Sequence, residues 1–217
     1  MKKVNKFWDN FYKNFNLRKP TSFAKFVNKN FIRKKKNLLE VGCGNGRDSF
    51  YLSKKVKIIS IDKSAEAIKQ NLIILRKIKK KNFYFKKLDA IRLATIKLVK
   101  FDYIYARFFL HTINLSSEKK IFKTFNKILN NKGLIFLEFR TVNDPLYLIG
   151  KKLSKYERLT DHYRRFIDKE KFKNQLHIKN NFKIIYCIEK KGLAKFKNDN
   201  PSVCRIILEK NEKKNKR

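Results

Sequence analysis

Residues 38–48 read Leu38-Leu39-Glu40-Val41-Gly42-Cys43-Gly44-Asn45-Gly46-Arg47-Asp48, an apolar run that leads into three closely spaced glycines. The whole chain has six glycines, so half of them lie within five residues. A glycine cluster between a strand and a helix allows the main chain to approach a ligand where a Cβ would collide. The segment therefore predicts the first strand, turn and helix of an α/β fold, with a ligand above the turn.

A single acid at the end of the next apolar run indicates which kind of ligand the turn binds. Asp62 follows Val56-Lys57-Ile58-Ile59-Ser60-Ile61. A glycine turn after strand one, with an acid about 20 residues later at the end of strand two, is typical of a Rossmann-type nucleoside site. The acid in such a site binds the ribose hydroxyls. The two features together predict an enzyme with a nucleoside cofactor.

The spacing of the glycines and the acid before them favour one cofactor class. The dinucleotide fingerprint is G-x-G-x-x-G, whereas this chain has G-x-G-x-G preceded by Glu40. A carboxylate there would repel a pyrophosphate but suits a cationic amino-acid group. The segment resembles motif I, E/D-x-G-x-G-x-G, of the class I S-adenosylmethionine-dependent methyltransferases. A nicotinamide dehydrogenase and a glycine turn without a ligand are the weaker alternatives.

This resemblance implies a fold and a cofactor. The expected fold is a Rossmann-like, doubly wound α/β fold with a mainly parallel seven-stranded sheet, helices on both faces and an N-terminal helical cap. The implied cofactor is S-adenosylmethionine, with no metal. The expected cofactor-binding residues are Glu40, Gly42, Cys43, Gly44, Asn45, Gly46, Asp62, Lys63, Asp89, Ala90, Ala106 and Arg107. Arg107 has an equally favoured alternative, an ion pair with Asp102 or Glu138.

The acceptor is less well defined by the sequence. The segment Tyr105-Ala106-Arg107-Phe108-Phe109-Leu110-His111 resembles a Y-x-R-F-x-L-H stretch of bacterial small-molecule methyltransferases. His111 is a candidate general base, with a buried structural histidine as the alternative. The candidate acceptor-binding residues, which include two aromatics of an N-terminal amphipathic helix, are Trp8, Tyr12, Arg140, His162, Tyr163, Arg164 and Arg165. Their arginines favour a small acidic, phosphorylated or sugar-type acceptor, although Arg164 and Arg165 also suit a helix end.

The net charge of +38 raises a nucleic-acid alternative. The lysines are spread from end to end, however, and occur with abundant Asn, Ile and Phe, a combination that AT-rich codons also produce. Enzymes that methylate exocyclic amines of bases usually carry N/D-P-P-Y/F after strand four, where this chain has Ala106–Phe109. An RNA or ribosome-associated methyltransferase and a non-catalytic nucleoside-binding protein therefore remain the alternatives.

Length and composition predict the organisation of the chain. Its 217 residues suit one domain: a helical cap over 1–36, a methyltransferase domain over 37–210 and a basic tail over 211–217. No apolar run approaches the ~20 residues that span a bilayer, and the N-terminus lacks the apolar core of a secretory signal. Three cysteines without metal spacing favour a reducing compartment, so we expect a cytoplasmic protein.

The apolar pattern also predicts the elements along the chain. Strands are expected at 37–42, 56–61, 83–85, 101–105 and 134–139, and a closing hairpin at 182–189 and 203–209. A helix over 116–130 should end at Asn131-Lys132-Gly133, with Gly133 in the C-terminal turn. The region between strand five and the hairpin is expected to be irregular or helical.

Overall fold

The computed structural model describes residues 2–14, 18–95, 100–179 and 181–212. Its main sheet has seven strands in the spatial order β3-β2-β1-β4-β5-β10-β9. These strands are β1 (Asn37–Val41), β2 (Lys57–Asp62), β3 (Phe83–Lys87), β4 (Phe101–Arg107), β5 (Leu129–Arg140), β9 (Phe182–Lys190) and β10 (Val203–Lys210). Strands β1 to β5 pair in parallel, while β10 is antiparallel to both β5 and β9. This topology confirms the predicted mainly parallel seven-stranded sheet and its closing hairpin.

Helices cover both faces of this sheet, as predicted. They are α1 (Lys2–Asn14), α2 (Ser22–Asn30), α3 (Arg47–Leu52), α4 (Ala65–Ile78), α5 (Leu115–Ile128) and α6 (Lys169–Lys179). One buried cluster joins α5 and α6 to the sheet, and another joins α2, α3 and α4 to its opposite face. Along β4, successive side chains point to opposite faces of the sheet, so Tyr103 and Tyr105 belong to one cluster and Ile104 to the other.

Side-chain caps fix the starts of two helices near the ligand end of the sheet. The Thr21 hydroxyl accepts a hydrogen bond from the Ala24 amide at 3.0 Å, and the Ser64 hydroxyl accepts one from Ala67 at 3.1 Å. Ser64 also donates to the carboxylate of Asp9, 2.6 Å away. Asp9 lies on α1, so the N-terminal helix is anchored where α4 begins.

The boundary between α5 and β5 differs from the prediction. The helix ends at Ile128 and the strand begins directly at Leu129, without the expected turn over 131–133. The β4–β5 register is irregular in this region, and the positive φ of 57° belongs to Lys132 rather than Gly133. A Cβ on Gly133 would lie 2.8 Å from the carbonyl oxygen of Asn130, so the glycine allows its own backbone to lie close to that of Asn130.

The region between β5 and the closing hairpin, expected to be irregular or helical, contains the helix α6 and also a small three-stranded antiparallel sheet that was not predicted. The small sheet consists of β6 (Lys151–Lys152), β7 (Glu157–Leu159) and β8 (Tyr163–Arg165), in that spatial order. Arg164 and Arg165 therefore lie on a strand and not at a helix end. Strands of two or three residues are too short for a period of two to be read from the sequence.

Some predictions concern residues beyond the described part of the chain. Residues 213–217 of the predicted basic tail lie outside it, and so does Phe15, whose helical spacing from Trp8 and Tyr12 predicts a place on the aromatic face of the N-terminal helix. Among the residues that the structure does describe, no helix combines the length and apolarity needed to cross a membrane.

Candidate active site

The glycine turn has the backbone conformation that its composition predicts. Gly42, Gly44 and Gly46 have φ values of 73°, 51° and 73°, in the left-handed region that side chains disfavour. A Cβ on Gly44 would lie 2.4 Å from the hydroxyl oxygen of Tyr12. The turn is thus covered from above by the N-terminal helix α1.

Asp62 closes the turn from the neighbouring strand. Its carboxylate accepts hydrogen bonds from the backbone amides of Gly44 at 2.8 Å and Ser64 at 2.9 Å. Burial raises the pKa of Asp62, against the opposing effect of these two amides. The acid that the sequence singled out therefore links the ends of β1 and β2 and faces a cavity.

Asn71 supports the turn from α4 and was missed by the sequence analysis. Its side-chain amide donates to the carbonyl of Gly44 at 2.7 Å, and a Cβ on Gly46 would lie 2.7 Å from its Oδ1. The available signal was its position on the buried face of α4, together with Ala67 and Ile68. A polar residue at helical spacing among core residues indicates a specific partner.

The first cavity lies beside Asp62 and has a volume of about 370 Å³. Its walls include the carboxylates of Asp62 and Asp89 and the apolar side chains of Ile91 and Phe109. The other lining residues are Trp8, Tyr12, Gly42, Ile61, Lys63, Leu88, Ala90, Phe108, Thr112, Ile113, Asn114, Ser117 and Tyr163. Apolar walls with two carboxylates suit a flat base joined to a sugar with free hydroxyls.

The second cavity, of about 430 Å³, adjoins the first. Both are lined by Trp8, Tyr12, Gly42 and Phe108, so these four residues mark the boundary between them. The second cavity is lined further by Phe7, Phe11, Glu40, Cys43, Gly44, Asn45, Arg47, Asp48, Arg107, His111, Arg140, Asp161, His162, Arg164, Ala194, Phe196, Lys197 and Asp199. Most of the predicted acceptor residues thus share one cavity.

Glu40 and Arg47 place a carboxyl group and a guanidinium beside the glycine turn. The buried Glu40 carboxyl accepts hydrogen bonds from the hydroxyls of Ser49 and, at 3.0 Å, Ser60, and burial raises its pKa to about 8. Arg47 is half-buried and forms no ion pair in the described structure. Asp48, by contrast, accepts hydrogen bonds from Thr21 and Tyr105 at 2.8 Å and so joins α2 to the sheet.

Arg107 takes the structural role that the sequence left open. Its Nε donates to Glu138 at 2.8 Å, and Arg205 donates to the other oxygen of the same carboxylate at 2.6 Å. The Arg107 guanidinium also lies 4.2 Å from the centre of the Phe108 ring. Phe108 has a φ of 52°, which is strained for a side chain and brings it to the boundary of the two cavities.

His111 lies in the wall of the second cavity with an unpaired nitrogen. The side chain is buried, and its Nδ1 has no hydrogen-bond partner among the described residues. Burial first, and then the positive charge of Arg140, lowers the pKa of His111 well below 6.5. The imidazole is therefore neutral at physiological pH, which is the form that accepts a proton.

His162 connects the small sheet to α1. Its ring centre lies 4.5 Å from that of Phe7 and 4.9 Å from that of Trp8. Burial lowers the pKa of His162 to about 4, although the Asp161 carboxylate lies 3.1 Å from Nδ1. Burial, reinforced by the positive charge of Arg164, outweighs the opposing effect of this carboxylate on the pKa.

The remaining predicted residues fall into two groups. Arg140 is paired with Asp144 and Asp199, and Arg164 with Asp161, but both line the second cavity. Arg165 lines neither cavity and instead donates to Glu118 and to the Ile113 carbonyl. The structure therefore gives Arg165 a packing role in place of the predicted acceptor contact, because its strand turns alternate side chains to opposite sides.

Three further predicted cofactor residues are explained by their surroundings. Ala106 is fully buried and lines neither cavity, and Gly46 begins α3 with a left-handed conformation. Both shape the site without facing it. Cys43 lines the second cavity, but burial raises the pKa of its thiol well above 9.0, which agrees with a space-filling role.

Comparison with known proteins identifies the family. The sequence model of a methyltransferase domain matches residues 32–183. The chain belongs to this methyltransferase family. It is a methyltransferase, and its methyl donor is S-adenosylmethionine. No curated protein gives a significant match to the sequence.

Solved structures share the fold of this methyltransferase. An S-adenosylmethionine-dependent methyltransferase from Methanosarcina mazei has a TM-score of 0.72 at 18% identity, over 86% of this chain and 98% of its own. A protein from Pyrococcus horikoshii gives 0.74 at 12% identity, over 93% and 98%. A methyltransferase from Clostridium acetobutylicum gives 0.69 at 14%, over 88% and 92%. At these identities the likeness shows the fold alone.

Proposed function

We propose that this methyltransferase binds S-adenosylmethionine across the two cavities and transfers its methyl group to a small acidic acceptor in the second. The observation that carries the proposal is the shared boundary at Trp8, Tyr12, Gly42 and Phe108, which joins a nucleoside-shaped cavity to a charged one. S-adenosylmethionine supplies, when bound, a methyl group already activated by a sulfonium. The protein then has mainly to align the partners and exclude water.

The donor set of the first cavity fits the nucleoside. Asp62 is assigned to the ribose hydroxyls because its carboxylate, although it accepts two backbone amides, keeps lone pairs for further donors. Asp89 is assigned to the adenine amino group. Ile91 and Phe109 supply apolar contact for the base, and Lys63 and Ala90 complete the wall.

Glu40 and Arg47 fit the amino-acid end of the cofactor. Glu40 is assigned to the ammonium, and Arg47 to the carboxylate. Arg47 is suited to this role because it is half-buried and has no ion pair of its own in the described structure. A guanidinium binds a carboxylate with two parallel hydrogen bonds. Gly44 and Asn45 contribute the backbone between these charges.

The polar side of the second cavity supports an acidic acceptor. Arg140 and Arg164 are each paired with aspartates, but a guanidinium has five N–H groups, so donors remain for an anionic ligand. His111 is assigned as the general base for an acceptor that must lose a proton. His111 lines the same cavity, and burial, reinforced by the charge of the nearby arginines, lowers the pKa of the imidazole and keeps it neutral.

The N-terminal helix is assigned as the cover of the reaction space. Tyr12 lies against Gly44, while Phe7 and Trp8 pack on His162 across the second cavity. These contacts exclude water from the region where the two cavities meet. Helix α1 must move for ligands to enter or leave by this side.

A turnover assay with radiolabelled S-adenosylmethionine tests the proposal. Pools of carboxylated and phosphorylated metabolites and of bulk RNA are offered separately, and we expect label only in the first. Label in RNA would replace the proposal with the alternative that the charge of +38 favours. Calorimetry with the cofactor and its demethylated product provides the control, because binding without label in either pool would keep the cofactor assignments and contradict the acidic acceptor.

A further inference from the structure

The segment 148–159, which includes β6 and β7, exposes apolar side chains that the proposed reaction does not use. Four of the twelve large apolar side chains exposed in the described part of the chain fall within residues 148–159. They are Leu148 (84% exposed), Ile149, Leu153 and Leu159. Single exposed apolar residues are ordinary, whereas several of them within one short segment favour an interaction site.

Lysines accompany these apolar residues. Lys151, Lys152 and Lys155 are all exposed, and none of them is in an ion pair in the described structure. Between residues 145 and 160 the single acid is Glu157, whose carboxylate accepts a hydrogen bond from Tyr163. We call the exposed residues of this segment, which are Leu148, Ile149, Lys151, Lys152, Leu153, Lys155 and Leu159, the apolar–basic edge.

The apolar–basic edge is held in place by its own contacts. Tyr147 packs on the buried Phe166, with ring centres 5.5 Å apart, and its hydroxyl donates to the Lys155 carbonyl at 2.7 Å. The Arg158 guanidinium lies 4.6 Å from the Tyr147 ring centre. A Cβ on Gly150 would lie 2.5 Å from the Thr160 side chain. Leu148 and Ile149 are therefore presented to solvent by an ordered segment.

We propose that the apolar–basic edge docks this methyltransferase onto the anionic surface of a lipid bilayer. Apolar side chains enter the boundary between headgroups and acyl chains, while lysines bind the acidic headgroups, and the edge combines both. Neighbouring strands lie about 4.8 Å apart, so β6 is roughly 10 Å from β8. His162 and Arg164 at β8 line the second cavity, so docking holds that cavity near the membrane. The proposal does not depend on the identity of the acceptor.

Other occupants fit the edge less well. A nucleic acid would satisfy the lysines but leave Leu148 and Ile149 without apolar contact. A two-fold interface with a second copy would bring Lys151 and Lys152 close to their own counterparts, where no carboxylate neutralises them. An anionic bilayer is complementary to both parts of the surface.

Vesicle sedimentation with the full chain tests the proposal. The probes are vesicles of phosphatidylcholine alone and of phosphatidylcholine mixed with phosphatidylglycerol, at physiological salt. Lys151→Gln/Lys152→Gln should weaken binding to the anionic vesicles about 30-fold, since each lysine near such a surface contributes about a factor of five. Leu148→Ser/Ile149→Ser should weaken it at least tenfold.

Matched controls come from α4, which carries exposed residues of the same types on another part of the molecule. Ile73→Ser/Ile78→Ser removes side chains that are 46% and 49% exposed, and Lys69→Gln/Lys77→Gln removes the same charge. Both controls should keep binding within about threefold. Equal losses in the α4 and edge variants would overturn the proposal, because the charge of +38 alone would then explain binding.

A gain-of-signal variant covers the case in which edge variants fold poorly. Leu148→Trp should show a blue shift in emission when anionic vesicles are added, and Ile73→Trp should not. No shift for Leu148→Trp would overturn the proposal. So would a dimer in light scattering that Leu148→Ser/Ile149→Ser dissociates, because a second copy would then cover the edge.

Discussion

The carboxylate of Asp62 and the backbone amide of Gly44 are joined by a hydrogen bond of 2.8 Å. The bond connects the end of β2 to the turn after β1, so the residue assigned to the ribose also holds the turn in place. The amide of Ser64, at the start of α4, is a second donor to the same carboxylate at 2.9 Å. Cofactor affinity and the shape of the turn should therefore depend on one side chain.

Asp62→Ala should weaken binding of the demethylated cofactor product about 100-fold or more. The variant loses the contact with the ribose and also the hydrogen bonds from the Gly44 and Ser64 amides, which hold the turn in place. A hydrogen bond to a charged group contributes about 1.5–3 kcal/mol. Calorimetry measures the dissociation constant. Asp161→Ala is the control, since that carboxylate lies on the acceptor side and should change the constant less than threefold. Equal losses in the two variants would contradict the assignment.

Gly44→Ala should detach the N-terminal helix from the turn. The new Cβ would lie 2.4 Å from the Tyr12 hydroxyl, and alanine is strained at a φ of 51°. We expect faster hydrogen exchange in α1 and weaker cofactor binding. Combining Gly44→Ala with Tyr12→Ala should cost less than the sum of the two single changes. Strict additivity would show that the contact carries no energy.

The predictable parts of this molecule are those with local signals. Gly44 and Asp62 could be predicted because each lies at the end of a strand, where backbone conformation and the ligand select the residue type. The partner of Asn71 could not be predicted, because the Gly44 carbonyl is 27 residues away in sequence and only the fold brings the two together.

The acceptor side of the site shows the limit of reading charge from sequence. The sequence does not distinguish the side chains of Arg140, Arg164 and Arg165. In the structure only Arg140 and Arg164 line the second cavity, because Arg165 alternates to the other side of β8 and pairs with Glu118. The short strands β6–β8 have no readable period, so this alternation could not be predicted. The apolar–basic edge could not be predicted either, because it lies around the same short strands.

Cofactor binding should strengthen as the pH rises from 6.5 to 8.5. Burial raises the pKa of Glu40 to about 8, so the carboxyl is largely protonated at neutral pH and must ionise to bind an ammonium. Below that pKa, affinity should fall about tenfold per pH unit. The same shift lowers the stability of the free protein as pH rises from 4.5 to 8, because the folded state binds the extra proton.

Calorimetry in two buffers with different ionisation enthalpies measures the proton released when the cofactor binds to the wild type. In Glu40→Gln the release and the pH dependence should both disappear. A wild-type affinity that does not change between pH 6.5 and 8.5 would contradict the assignment of Glu40 to the ammonium.

Acid should destabilise the fold through His162. Its folded pKa of about 4 lies below the unfolded value of 6.5, so the unfolded state binds the extra proton as pH falls from 6.5 towards 4. Stability is therefore complete above pH 6.5 and is lost progressively below it. Urea unfolding at several pH values measures this loss. His162→Gln should reduce the slope, whereas an unchanged slope would assign the acid sensitivity to other groups such as His111.

Arg164→Ala should impair turnover and Arg165→Ala should impair folding stability, although the two residues are neighbours. Arg164 lines the second cavity, so its loss should reduce turnover of the acceptor about tenfold or more while the cofactor dissociation constant stays within threefold. Arg165 pairs with the buried Glu118, and removing it leaves an uncompensated buried charge, which costs about 3–5 kcal/mol of folding free energy. Thermal unfolding and single-substrate kinetics separate the two effects. If Arg164→Ala instead lowered cofactor affinity and turnover equally, its guanidinium would belong to the cofactor subsite, and the acceptor would have to be sought beside Arg140.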